Sequence, residues 1–264
     1  MAIQTWAEYR SAHAPPHHTV VGDVRVLPDI FSPQLDNRRR VWVYLPPSYW
    51  QSDRRYPVLY FQDGQNLFDR ATSFAGEEWG LDETLEALSR DGLEAIAVGV
   101  DHAGEDRRRE YTPFPGWWEA RGEAYVDFLV ETVKPLIDAG FRTRPGRAHT
   151  GVVGSSLGGL ISLYAFFRRP DIFNRVGALS PALWPVNGAI YSFVRQAAFV
   201  DGRVYLDNGT RENNARPMVD LLIEKGYRPG DTLKYVAEAG GEHRESAWAR
   251  RLPAALRFLL PDPI

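Results

Sequence analysis

Residues 152–161 read VVGSSLGGLI, a G-x-S-x-G pattern at Gly154–Gly158 with apolar residues before it and helix formers after it. A strand that passes into a helix through a single serine must turn sharply. Small residues at 154 and 158 let such a turn close without side-chain clashes. The serine hydroxyl then stands above the sheet, and the first amides of the helix point at negative charge developing on an attacked carbonyl. Val152 and Val153 supply the strand, and Leu160, Ile161, Leu163 and Tyr164 supply the helix. Ser156 is therefore the candidate nucleophile. The plainer alternative is a glycine-rich turn with a serine helix cap, a role open to Ser155.

The rest of the chain alternates in the same way. Strands are expected over Thr19–Leu27, Arg40–Leu45 and Pro57–Phe61, the last two delimited by Pro46, Pro47 and Pro57. A helix over Glu78–Ser89 puts Leu81, Leu85 and Leu88 on one face. A strand (Ala95–Val100), a long helix (Glu119–Ala139), the strand His149–Gly154 and the helix Leu157–Phe167 follow. Strands at Arg175–Leu179, Arg203–Leu206 and Thr232–Ala237 then alternate with helices near Ala189–Ala197, Ala215–Glu224 and Glu245–Leu260. Such alternation implies crossover units and an α/β fold: a mostly parallel sheet with helices on both faces. The first two strands have no helix between them, so they form an antiparallel edge. Residues 1–18 read as an extended or partly mobile leader, and 19–264 as one catalytic domain, a size that single α/β domains commonly reach.

Composition narrows the function. Thirty-one basic against 34 acidic residues leave a net charge of -3, which argues for neither nucleic acid nor an anionic membrane as partner. With no cysteine there is no disulfide, thiolate nucleophile or thiolate metal site. No metal cage or cofactor motif is evident. The runs Arg38–Arg40 and Arg107–Arg109 are expected on solvated loops or edges. No apolar stretch has the length of a secretory signal or a membrane span, so a cytoplasmic location is the expectation, with a longer secreted precursor the alternative.

In open parallel sheets, reactive groups lie beyond the carboxyl ends of strands, and this shortens the list of bases. His13, His17 and His18 are interspersed with prolines near the start, and His149 begins a strand at the wrong end. His102 follows the strand ending at Val100 and is the second choice. His243, in AGGEHR between the last strand and the last helix, is preferred, since serine, acid and histidine follow one another in that order on sheets of this kind. The acid then lies in DNGTREN after the strand at 203–206: Glu212, beyond the turn, is preferred over Asp207, which could brace the turn instead. Glu242 is expected to face solvent. The oxyanion donors would be the amide of Leu157 and that of Gln65, in the loop QDGQN where Gly64 turns the backbone; alternatively that loop is a plain turn in which Asp63 binds its own backbone.

Taken together, YPVLYFQDGQNLF (56–68), REYTPF (109–114), GSSLGG (154–159), LSPALW (179–184), DNGTRE (207–212) and GGEH (240–243) with Trp248 resemble the esterase family of α/β-hydrolases that includes enterochelin-type, feruloyl and acetyl-xylan esterases, S-formylglutathione hydrolase and mycolyltransferases. The resemblance covers residues 38–260. It implies the α/β-hydrolase fold, Ser156 as nucleophile, His243 as base, Glu212 as acid and the amides of Gln65 and Leu157 as oxyanion hole. Glu242 before the histidine and Arg244 after it depart from the family pattern.

The implied activity is hydrolysis of a small-molecule or carbohydrate-linked carboxylic ester through an acyl-enzyme. An acyltransferase using the same intermediate is the nearest alternative, and a non-catalytic binding module on a hydrolase fold is the remaining one. Trp184, just beyond a strand end, is a candidate pocket wall; Trp117 and Trp118 are a candidate lid or core plug. Arg109 could hold an anionic or catecholate oxygen, or pair with a loop carboxylate. The small negative net charge and the loop aromatics favour an uncharged ester with an apolar or aromatic part.

Overall fold

The protein is described from a computed structural model covering residues 6–116 and 119–260. Its strands are β1 (Ala7–Glu8), β2 (Asp23–Ser32), β3 (Asn37–Leu45), β4 (Val58–Gln62), β5 (Ile96–Val100), β6 (Thr150–Ser155), β7 (Arg175–Leu179), β8 (Arg203–Gly209) and β9 (Leu233–Glu238). They form one sheet in the order β1-β2-β3-β5-β4-β6-β7-β8-β9. From β5 to β9 every neighbouring pair is parallel, whereas β1, β2 and β3 join antiparallel to one another and to β5.

Burial on both faces follows from the period of two along each strand. In β3, Val41, Val43 and Leu45 enter one apolar cluster, while Trp42 and Tyr44 enter the other. The helices are α1 (Tyr9–Ala12), α2 (Leu81–Ser89), α3 (Arg107–Glu110), α4 (Gly122–Asp127), α5 (Lys134–Gly140), α6 (Leu157–Arg168), α7 (Pro185–Gln196), α8 (Arg216–Glu224) and α9 (Glu245–Leu259). α2 and α9 cover one face through Leu81, Leu85, Leu88, Leu252, Leu256 and Leu259. Residues of α4 to α8 cover the other.

Four expectations are revised. The long helix begins at Gly122 rather than Glu119, and a π-helical stretch, Phe128–Val133, separates α4 from α5. The start is set by close packing: a Cβ at Gly122 would stand 2.7 Å from the backbone of Pro113. β2 is displaced toward Ser32, with a register shift between Leu27 and Ile30 where Pro28 cannot donate to the ladder. The basic runs are not all solvated. Arg39 is buried in β3 and makes a two-pronged pair with buried Glu110, both bonds 2.9 Å. Within the segment read as a leader, Ala7 and Glu8 pair with β2, and the Tyr9 hydroxyl donates to Asp69 at 2.8 Å. Among the described residues, no helix is long and apolar enough to cross a membrane.

Candidate active site

β6 delivers Ser156 to the carboxyl-end rim of the sheet, and α6 begins at the next residue. The serine has φ 55° and ψ −122°, a region that non-glycine residues rarely occupy. The turn persists because its surroundings leave no other path. A Cβ at Gly154 would lie 2.4 Å from the carbonyl oxygen of Gly158. Ser156 N–H donates to Leu179 at 3.0 Å, and Ala182 N–H donates to the Ser156 carbonyl at 2.8 Å, which pins the turn to the end of β7. Leu157, as first residue of α6, has an amide with no acceptor inside the helix.

From the far end of the sheet, the loop between β9 and α9 brings in His243, whose Nε2 lies 2.9 Å from Ser156 Oγ. Its Nδ1 lies 2.6 Å from Glu212 Oε2. The structure thus places these three residues in one line, with Glu212 rather than Asp207 at the histidine. The other Glu212 oxygen accepts the Ser180 hydroxyl at 2.7 Å and the Gly209 amide. Burial works against the Glu212 charge, but the hydrogen bonds from His243, Ser180 and Gly209 outweigh it and hold the carboxyl below the usual range.

Asp207 braces the turn at Ser180, accepting its N–H at 3.0 Å, and pairs with Arg251 at 3.1 Å. Burial pushes its carboxyl up to about 6, with Arg251 pulling the other way. Arg251 also reaches Glu238 at 2.7 Å, the Ser180 hydroxyl at 2.6 Å and Glu212 at 3.5 Å. Trp248 donates to Ser180 Oγ at 2.9 Å and sets its ring edge-on to the His243 imidazole, 5.1 Å between centroids. The sequence reading missed Ser180 and Arg251 in this supporting layer and gave Trp248 no role there.

On the other side of the serine, the loop after β4 differs from expectation in how it turns. The left-handed residue is Asp63 (φ 57°), not Gly64. Gly64 is needed for closeness: a Cβ there would stand 2.7 Å from the backbone of Gly99 in β5. A short 3-10 turn over Gly64–Asn66 follows, leaving the Gln65 amide in its first turn without an acceptor inside that turn. Asp63 does not bind its own backbone through its side chain; Arg107 takes both carboxylate oxygens at 2.7 and 2.8 Å.

The nucleophile opens on a cavity of about 960 Å³ that Leu157, Trp184, Arg107, Arg108, Arg211 and Asn213 help to line. Trp184 is 56% exposed at its rim. Arg109 is not among the lining residues and instead pairs with Asp106 and Glu119. Trp117 and Trp118 lie outside the described residues. Glu242 is exposed and pairs with Arg211 at 3.4 Å. The cavity wall is locally basic although the chain is slightly acidic, because net charge does not report where side chains converge. Among the described residues, no group of His, Cys, Asp or Glu is arranged to hold a metal.

Comparison with known proteins agrees with this construction. The profile of the family described as "Putative esterase" matches residues 32–259. The chain belongs to this family. The esterase is 28% identical over 243 residues to the uncharacterized protein YbbA of Bacillus subtilis, covering 84% of this chain and 92% of that one. It is 33% identical over 246 residues to the iron(III) enterobactin esterase of Dickeya dadantii, covering 87% of this chain but only 53% of that relative. The chain therefore spans about half the length of that curated enzyme. Among solved structures, the BES protein from Bacillus cereus superposes with a TM-score of 0.71 at 22% identity, covering 93% of this chain and 98% of that one. The fold is the α/β-hydrolase fold, and the protein is a serine hydrolase of the carboxylesterase type.

Proposed function

We propose that the esterase cleaves small-molecule carboxylic esters through an acyl-enzyme on Ser156. His243 takes the proton of Ser156 Oγ through Nε2 as the oxygen attacks the carbonyl, and Glu212 orients the imidazole and stabilises its charged form through Nδ1. The amides of Leu157 and Gln65 receive the oxyanion. The protonated His243 gives its proton to the departing alcohol, then activates a water that attacks the acyl group and restores Ser156. The observation that carries this reading is the unbroken line of contacts from Ser156 to His243 at 2.9 Å and from His243 to Glu212 at 2.6 Å.

The exposed Trp184 ring and the arginines on the cavity wall support an ester with a flat, oxygen-bearing part. The Dickeya relative is described as an iron(III) enterobactin esterase, so that ester is one to test. Fluorophosphonate labelling tests the nucleophile. The native chain should be labelled on Ser156 with matching loss of p-nitrophenyl ester hydrolysis, and Ser156→Ala should take up no label. Label on another residue, or activity that survives Ser156→Ala, would overturn the assignment.

A further inference from the structure

Ser156 and His243 also border a second cavity, of about 420 Å³. Its wall includes His102, Glu245, Asn66, Phe74, Trp248 and Arg107. Two of its polar groups have bonding capacity to spare. His102 follows β5, and its Nδ1 accepts the N–H of Gly104 at 2.9 Å. Burial pushes the His102 pKa down, so the ring is held toward its neutral form. With Nδ1 accepting, that neutral ring carries its proton on Nε2, and no described residue accepts it.

Glu245, the first residue of α9, is partly buried and has no cation within ion-pair reach among the described residues. Burial, helped by the nearby charges of Glu77 and Asp63, pushes its carboxyl up. The remaining charges of this wall offset each other, since Asp63 and Arg107 are joined through both carboxylate oxygens. A ligand entering here therefore meets the His102 donor and the Glu245 acceptor, beside Asn66, Ser155 and His243 on the same wall, while the Arg107 charge is already matched by Asp63. An anion would find no unpaired cation here. An ammonium could donate to Glu245 but has no lone pair to accept the His102 N–H. A hydroxyl accepts from one side and donates to the other, so a single small group completes both.

We propose that His102 and Glu245 form a hydroxyl-recognising subsite beside the nucleophile, which favours esters bearing a free hydroxyl a few atoms from the scissile carbonyl. The proposal rests on the esterase reading and adds to it the chemistry of one half of the substrate. The supporting observation is that His102, whose Nδ1 is already taken by the Gly104 N–H, and Glu245, without an ion-pair partner among the described residues, line the same cavity as Ser156.

Two matched pairs of esters test it on the full chain. Ethyl 3-hydroxybutyrate against ethyl butyrate places the hydroxyl on the acyl half, and 2,3-dihydroxypropyl butyrate against propyl butyrate places it on the alcohol half. At least one pair should show a kcat/KM preference of about tenfold or more for the hydroxylated member. That preference should fall below about threefold in His102→Phe, which keeps a ring without the donor, and in Glu245→Leu, which removes the acceptor; the loss should lie mainly in KM. The two variants act on different elements, so either one decides the matter if the other fails to fold. Equal loss on both members of a pair would mean a scaffold role and would overturn the subsite. So would a native chain that hydrolyses plain esters without any hydroxyl preference, while leaving the esterase reading intact. A native chain inert toward all four esters and toward p-nitrophenyl esters would take both readings down.

Discussion

The elbow at Ser156 and the loops that present His243 and Glu212 meet across 2.9 Å, yet they are held in opposite ways. The elbow is a backbone construction: its conformation is enforced by Gly154, by amides bonded to the ends of neighbouring strands, and by a helix that starts at once. The acid-base side is a side-chain construction. Glu212, Asp207, Ser180, Trp248 and Arg251 come from three separate stretches and are joined by polar contacts around a single buried cation. Backbone constraints of the first kind are absolute but few. Side-chain networks of the second kind are cumulative, and removing one member leaves others buried without partners.

The comparison breaks first on catalysis. Ser156→Ala and His243→Ala should each lower kcat on a p-nitrophenyl ester by roughly 10³-fold or more, and the double variant should be little worse than either, because the residues act as a unit. Additive losses would mean that the two sides work independently. Within the network, Glu212→Gln should lower kcat by about 10²–10⁴-fold by disturbing the tautomer of His243. Asp207→Asn should cost less than about tenfold in kcat, since Asp207 touches Ser180 and Arg251 but not the histidine. A reversed order would return the acid role to Asp207.

Stability separates the two sides next. Arg251→Met should cost about 3–5 kcal/mol in urea unfolding, because it leaves the Asp207 carboxylate buried without its partner. Gly154→Ala should cost less, about 1–3 kcal/mol, through a local clash with the Gly158 carbonyl. The smallest effect is on pH. Glu212 has its carboxyl held below the usual range in the folded chain, so its stabilisation is present above the unfolded-state pKa and is lost as pH falls through the lowered folded value. The difference in unfolding free energy between the native chain and Glu212→Gln should therefore shrink as pH drops from about 6 to about 3. A constant difference over that range would show that the hydrogen bonds to Glu212 do not depend on its charge.

The same contrast explains how far the sequence could be read. The elbow was legible because its constraints are local: two glycines, one serine and the change of period from strand to helix lie within a few residues. That the larger part of the sheet is parallel followed from alternation for the same reason. The supporting layer was not legible, because nothing near Ser180 announces a hydroxyl shared by Glu212, Trp248 and Arg251. One signal was present. On α9, Trp248, Arg251, Leu252, Ala255, Leu256 and Leu259 form the buried stripe, and an arginine at a core position of such a stripe demands a carboxylate nearby. Arg39 sends the same message from β3, where strand alternation points it inward toward Glu110. Arg109, by contrast, was singled out from a basic run whose three members look alike in sequence. Only the packing of α3 tells them apart, turning Arg107 to Asp63 and Arg109 to Asp106.

The close approach of Gly64 and Gly99 bears on how this active site can change over generations. A side chain at Gly64 would strike the backbone at Gly99 and Val100, and one at Gly99 would strike Leu67 and come within 3.1 Å of the Gly64 Cα. Neither position opens space for the other, so no order of single substitutions releases the pair without first shifting β4 against β5. The loop bearing Gln65 is thereby held against β5. At Phe74 and Trp184, by contrast, the side chains are exposed, and a new one there meets solvent rather than main chain.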